Sequence, residues 1–273
     1  LFDADLNNYK DIIIYLKIVK MIVLNMIVKN EASIIERCLN SLLEIIDAFV
    51  ICDTGSTDNT IQVINDWKKK NKVAGKIYTH QWINFEHNRN LALERCQEWI
   101  FENSQEDKNY ICIIDADDYL VIENPEIFTS TCVLNECKMK IDIKFDNTIY
   151  DRTFIFPSYA KSLWQGALHE QLICEAPVKK LEGAHILVNT DGDRNKDPMK
   201  YLKDVLTLET ALEKDPDNQR NLFYLAQSFR DFDYKIMAEK LYLEIFETNQ
   251  NREEKYICLL EAAKCRINRG KND

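Results

Sequence analysis

Apolar and polar positions change their period along this chain, and the changes mark its elements. Three short runs rich in branched residues, Met21 to Val28, Ala48 to Cys52 and Tyr110 to Ile114, read as buried strands. Between the first two, Ile34, Ile35, Cys38, Leu39, Leu42 and Leu43 recur at helical spacing and predict a helix over 32–46. Leu91, Leu93, Cys96, Trp99 and Ile100 predict a second helix over 88–101, ahead of the third strand. Alternation of this kind builds βαβ units, so the expected fold class is α/β, with a Rossmann-like, mostly parallel sheet.

From Asp142 to Val188 the pattern is shorter and mixed, broken by Pro157 and Pro177, and reads as the substrate-side half of the same domain. After Asp197-Pro198 the chain turns helical: Tyr201 to Lys214, Asn221 to Asp231, Tyr234 to Thr248 and Glu253 to Arg269. The expected division is a domain over 1–197 and a helical segment over 198–273. Residues 1–17 read as a polar leader or the end of a fragment, with Met21 as an alternative start. Leu225, Ala226, Phe229, Ala238 and Tyr242 match tetratricopeptide spacing, and Leu259, Leu260 and Ala263 recur 34 residues after the first three.

In an open parallel sheet the ligand lies beyond the carboxyl ends of the strands. The three tails there are Lys29-Asn30-Glu31, Asp53-Thr54-Gly55-Ser56-Thr57-Asp58 and Asp115-Ala116-Asp117-Asp118, so polar groups converge on one edge. The formal charge of −10 argues against a sequence-independent nucleic-acid binder and makes an anionic ligand depend on a bridging cation or local donors. Nine cysteines without a CxxC pair favour a reducing, cytoplasmic setting. The most apolar stretch, Ile12 to Val28, is interrupted by Lys17, Lys20 and Asn25, so no membrane span is expected.

Asp115-Ala116-Asp117 directly follows Ile111-Cys112-Ile113-Ile114. Two close carboxylates would repel a diphosphate unless a divalent cation stood between them, and that cation would also stabilise a departing nucleoside diphosphate. A plainer reading exists for the middle tail, in which Asp53 to Asp58 form a turn capping the helix that begins near Thr60. Phe49 to Ser56 resembles an aspartic-protease string, but no second Asp-Thr-Gly supplies the partner carboxylate.

The run from Asn25 to Leu42, then Val50 to Thr60, then Trp82, Phe85, Arg89 and Asn90, then Asp115 to Asp118, resembles family 2 glycosyltransferases in content and order. Gly166-Ala-Leu-His169-Glu170 and Gly183-Ala-His185 resemble acceptor-side motifs of a subgroup that ends in tetratricopeptide-like helices. The resemblance implies a GT-A fold and transfer of a hexose, inverting and metal-dependent, from a nucleoside-diphosphate-sugar to an acceptor hydroxyl. It implies donor roles for Asn30, Glu31, Asp53, Arg89 and Asp115, and metal ligation by Asp117 and His185 with Mn²⁺ or Mg²⁺. Trp164 and His169 fall on the acceptor side, and Glu170 stands where a general base is needed, although the family often uses Asp from a Glu-Asp pair. A UDP-sugar is the first expectation, with GDP- and dTDP-sugars compatible. The acceptor is a glycan, lipid or protein, and the helical tail offers a surface for a protein partner. Two alternatives stay open: a sugar nucleotidyltransferase, and an interaction module with a silent GT-A domain.

Overall fold

A computed structural model describes residues 20–269, so the leader expected over 1–17 lies outside the described residues. Four strands form the parallel half of the sheet: β1 (Ile22–Val28), β2 (Ala48–Asp53), β3 (Ala74–Thr79) and β4 (Tyr110–Ile113). Then come β5 (Tyr119–Ile122), β6 (Lys138–Phe145), β7 (Thr148–Pro157) and β10 (Val178–Leu187), while β8 (Ser162–Gln165) and β9 (Gln171–Cys174) make a separate pair. The order across the eight-stranded sheet is β3-β2-β1-β4-β7-β6-β10-β5. The expected mostly parallel α/β sheet is present, with β7 and β5 running against their neighbours.

Alternation along each central strand feeds two cores. Leu24, Met26, Phe49, Ile51, Tyr110 and Cys112 pack with α1 (Ile35–Leu42) and α2 (Thr60–Asn71) on one face. Val23, Val50, Ile111 and Ile113 pack with Leu93, Cys96, Trp99 and Ile100 of α3 (Phe85–Asn103) on the other. Strands covered on both faces must be apolar at almost every position, which is why these runs are nearly continuous. The exception, Asn25, is buried and satisfied, donating to the Ala92 carbonyl at 2.9 Å and so tying β1 to α3.

Helix α1 is shorter than its periodicity. It stops at Leu42, and the amides of Ile45 and Ile46 then both bond to the Leu42 carbonyl in a tight turn that still buries both side chains. Strand β3 escapes the hydrophobic pattern because Ala74-Gly-Lys-Ile-Tyr-Thr79 is half exposed at the sheet edge. Helix α4 (Pro125–Thr131) starts with Asn124 accepting from the Ile127 amide and Pro125 at its first position. Gly183, with φ +76°, permits the irregular β10 register there, since a Cβ would lie 2.6 Å from the Asn124 carbonyl oxygen.

The chain divides into two compact units. Among the described residues, the first comprises 20–83, 87–164 and 172–193, and the second 84–86, 165–171 and 194–269. Helices α6 (Lys200–Lys214), α7 (Gln219–Asp231), α8 (Lys235–Thr248) and α9 (Arg252–Arg269) of the second unit pack on one another in sequence, after the short α5 (Asp193–Lys196). Ala226, Ala238 and Ala262 are buried around Tyr242, and their small side chains let the helix backbones approach. The later members of the sequence repeat behave differently. Leu259 and Leu260 are 41% and 42% exposed, and α9 turns Cys258, Ala262 and Cys265 inward instead. Among the described residues no helix is long and apolar enough to cross a membrane, and all nine cysteines are free thiols.

Candidate functional site

Parallel registry aligns the ends of β1 and β2, with Val28 opposite Asp53, and β4 ends beside Asn25. The three polar tails therefore emerge together. Asn30 adopts φ +56° and is stapled to the β2 tail: its side-chain carbonyl accepts from the Thr57 amide at 2.8 Å, and its own amide donates to Ser56 Oγ at 2.9 Å. The Glu31 amide donates to Thr60 Oγ1 at 2.8 Å. Asp53 is fully buried, and its Oδ2 accepts from the amides of Gly55 and Ser56, each at 3.1 Å. Asp58 accepts from the amides of Ala32 and Thr60. Burial would raise its carboxyl, but the bonds from Thr60 and Ala32 outweigh this and hold it below its ordinary value. The plain capping role and the gathering of the tails are thus performed by the same residues.

Three consecutive residues of α3 hold three different segments. Asn88 accepts from the Ile83 amide and donates to the Gln81 carbonyl. Asn90 exchanges two hydrogen bonds of 2.8 Å with the backbone of Trp164. Between them Arg89 reaches Asp115 Oδ1 at 2.7 Å while its guanidinium lies 4.8 Å from the Trp164 ring centroid. Trp164, expected on the acceptor side, is buried in the second core face of the first unit beneath that guanidinium.

The turn after β4 concentrates charge. Asp115 receives Arg89 on one oxygen and Arg152 Nη1 on the other, at 3.1 Å. Burial would raise this carboxyl, yet the two guanidiniums hold it well below the usual carboxylate range. Asp118, buried and 3.6 Å from Arg152 Nη2, is pushed up to about 8 by burial and by the charges of Asp115 and Asp117, against the pull of Arg152. Asp117 is also raised, by burial and then by Asp115, with Asp191 adding to it. Among the described residues no guanidinium bonds its carboxylate; Arg37 donates to its backbone carbonyl instead, at 2.8 Å.

A short segment after β10 completes this edge. Asp191 takes both terminal nitrogens of Arg37, at 2.7 and 2.9 Å. Gly192 lies so close to Asp117 that a Cβ would stand 2.8 Å from Asp117 Oδ2. The Asp193 amide donates to the Glu31 carboxylate at 3.3 Å, and Asn30 Nδ2 donates to the Asp193 carboxylate at 3.3 Å. Arg37, Arg152, Asp191 and Gly192 were not singled out from the sequence. Only Arg37 sits inside a quoted motif; Arg152 stands in a strand whose pattern carries no chemical signature.

The predicted residues therefore separate into groups. Asn30, Glu31, Asp53, Arg89, Asp115 and Asp117 are gathered at one edge of the first unit. His185 is not brought to Asp117. Its strand register puts it opposite Val121, whereas Leu187 faces Tyr119, so Asp117 lies four residues beyond its partner. The groups around His185 are Glu123, at 3.4 Å, Lys144 and Asp142, and burial followed by Lys144 lowers its imidazole. His169 and Glu170 belong to the second unit. There the His169 ring stacks on Tyr224 at 4.1 Å, its carbonyl accepts from Arg220 at 2.6 Å, and the Gly166 amide donates to Glu86 at 2.8 Å. Among the described residues there is no group of three His, Cys, Asp or Glu side chains that could by itself hold a metal ion.

Similarity to known proteins extends across the segments that form this edge. Residues 24–125 match the model of glycosyl transferase family 2. The SPbeta prophage-derived glycosyltransferase SunS of Bacillus subtilis (strain 168) is 24% identical over 223 residues, covering 76% of this chain and 49% of SunS. An uncharacterized glycosyltransferase of Rickettsia felis is 28% identical over 95 residues, covering 34% of this chain and 28% of that protein. The chain thus spans about half the length of SunS. Among solved structures, S. aureus TarS 1–349 in complex with UDP-GlcNAc aligns with a TM-score of 0.44 at 14% identity, covering 90% of this chain and 81% of that one. The matched interval runs from β1 through the Asp115–Asp118 turn, so over residues 24–125 the chain is similar to glycosyl transferase family 2.

Proposed function

We propose that the chain is a glycosyltransferase that binds a nucleoside-diphosphate-sugar at the carboxyl edge of β1, β2 and β4 and transfers the sugar to an acceptor hydroxyl with inversion. The observation that carries the reading is the unequal treatment of the two aspartates. Asp115 is neutralised by Arg89 and Arg152, whereas Asp117 is left with a raised carboxyl among like charges. A group in that state gains most from a cation. Small divalent cations are commonly held by one or two carboxylates, with substrate phosphates completing the shell, so a lone Asp117 beside a diphosphate suits Mg²⁺ or Mn²⁺ without a third protein ligand. Such a cation would neutralise charge building on the departing diphosphate.

The chain's own residues do the rest. Asn30, Glu31 and Asp53 line the tails against which the nucleoside would lie, and Asp115, held ionised, would accept from the ribose hydroxyls. Arg89, already bonded to Asp115, supplies fixed positive charge. Glu170 is the base we propose, on the strength of its motif. His185 has no part in this metal site. Calorimetry with UDP, GDP and dTDP in the presence of Mn²⁺ tests the donor reading. Heat is expected for at least one, and none from folded protein would end it. Glu170→Gln should keep donor binding and lose transfer; normal transfer would require another base.

A further inference from the structure

Strand β7 runs antiparallel to β4, with Cys112 opposite Ile155, and β4 ends at Ile113. The residues of β7 before about 153 therefore continue past the end of β4, alongside the turn that carries the aspartates. Arg152 stands there, opposite Ile141 of β6. Its guanidinium spans the turn. Nη1 meets Asp115 at 3.1 Å and Nη2 lies 3.6 Å from Asp118, while the Asp118 amide closes the same turn onto the Asp115 carbonyl at 3.1 Å. Ala116 and Asp117 are held between these two ends, and Asp117 is the one that carries a carboxylate.

We propose that Arg152 is a positioning residue of the donor site, which by bridging Asp115 and Asp118 fixes the turn that presents Asp117 to the cation and the diphosphate. This rests on the donor reading above, but Arg152 lies outside the interval that matches the family model, so nothing in that match assigns it. The physical case has two parts. A planar guanidinium can hold two carboxylates at a set separation, which a point charge cannot do. It also offsets a local excess of negative charge: Asp115, Asp117, Asp118 and Asp191 face Arg37, Arg89 and Arg152, and losing Arg152 would leave four acids to two arginines. The turn would then splay, and Asp117 would lose its aim.

The test is calorimetry on the full chain with Mn²⁺ and whichever of UDP, GDP or dTDP the wild type binds, beside the matching nucleoside alone. Arg152→Gln is expected to weaken the Mn²⁺-dependent diphosphate affinity about tenfold, the scale of one lost charge-assisted hydrogen bond, and to leave nucleoside affinity within about twofold. Arg152→Lys should recover part of the loss. Ile149→Ser, on the same strand with its side chain to the opposite face and 63% exposed, should match wild type. Arg152→Gln binding like wild type overturns the proposal. So does an equal loss of diphosphate and nucleoside affinity with a lowered melting temperature, which would make Arg152 only a structural tie. A wild type that binds none of the three diphosphates ends the donor reading and this inference with it.

Discussion

At the carboxyl edge of the first unit, four acids, Asp115, Asp117, Asp118 and Asp191, share three arginines, and two of the acids are pushed upward as a result. In the helical unit each well-buried acid meets an arginine from another helix: Asp204 with Arg194, Glu239 with Arg266 and Glu261 with Arg230. The second arrangement is balanced and knits helices together. The first is left short of positive charge, and Asp117 is the carboxylate there that, among the described residues, no guanidinium bonds. A protein gains no stability from such a shortfall, because crowded buried carboxylates repel, so its location marks where a ligand is expected to supply what is missing.

Four substitutions break or sharpen this contrast. The largest effect is expected from Asp117→Asn, which removes the proposed cation ligand. Mn²⁺-dependent nucleoside diphosphate binding should fall about 100-fold or more by calorimetry, while the melting temperature holds or rises because repulsion is relieved. Excess EDTA on the wild type should give the same binding loss. Ala238→Leu attacks the other unit. Overfilling its fully buried site should cost about 1–3 kcal/mol in a denaturant titration yet leave diphosphate affinity unchanged, and a change in affinity would mean the two regions are not separable.

Gly192→Ala lies between these. Its new Cβ would meet Asp117 Oδ2 at 2.8 Å, so the carboxylate must shift, costing about 1 kcal/mol and lowering Mn²⁺-dependent affinity severalfold. The smallest effect belongs to Asp58→Ala, which removes a carboxylate that binds the Ala32 and Thr60 amides, at about 0.5–1 kcal/mol near pH 7. Because that carboxyl is depressed in the folded protein, its contribution is present above the unfolded pKa of about 3.9 and is lost as pH falls through the lower folded value. The difference between variant and wild type should therefore shrink in acid, as urea titrations at a series of pH values would reveal.

Much of the fold was legible because the central strands are buried on both faces and so leave continuous apolar runs. Strand β3 was not, since an edge strand with Lys76 and Gly75 has no such run. The Ala32–Ile46 helix was overlong because Ile45 and Ile46 stay in helical phase and buried although α1 has already tightened into a turn on the Leu42 carbonyl. At the site, the tails of β1, β2 and β4 were legible as ordered strings. Arg152 and Asp191 were not, because their only signal is which side chains they meet: Arg152 sits 37 residues from Asp115 along the chain, and Asp191 154 residues from Arg37.

The sequence by itself determined that a βαβ sheet forms and that acids gather at the ends of its strands, because strand period and strand ends are local properties of a chain. Only the tertiary structure decided which acid is neutralised and which is left open. That choice depends on Arg37, Arg89 and Arg152 arriving from two helices and a distant strand, and Coulomb interactions between side chains are set by distance in space, not by separation in sequence. By the same measure Asp117 and His185, which the family resemblance pairs as metal ligands, are parted by strand register.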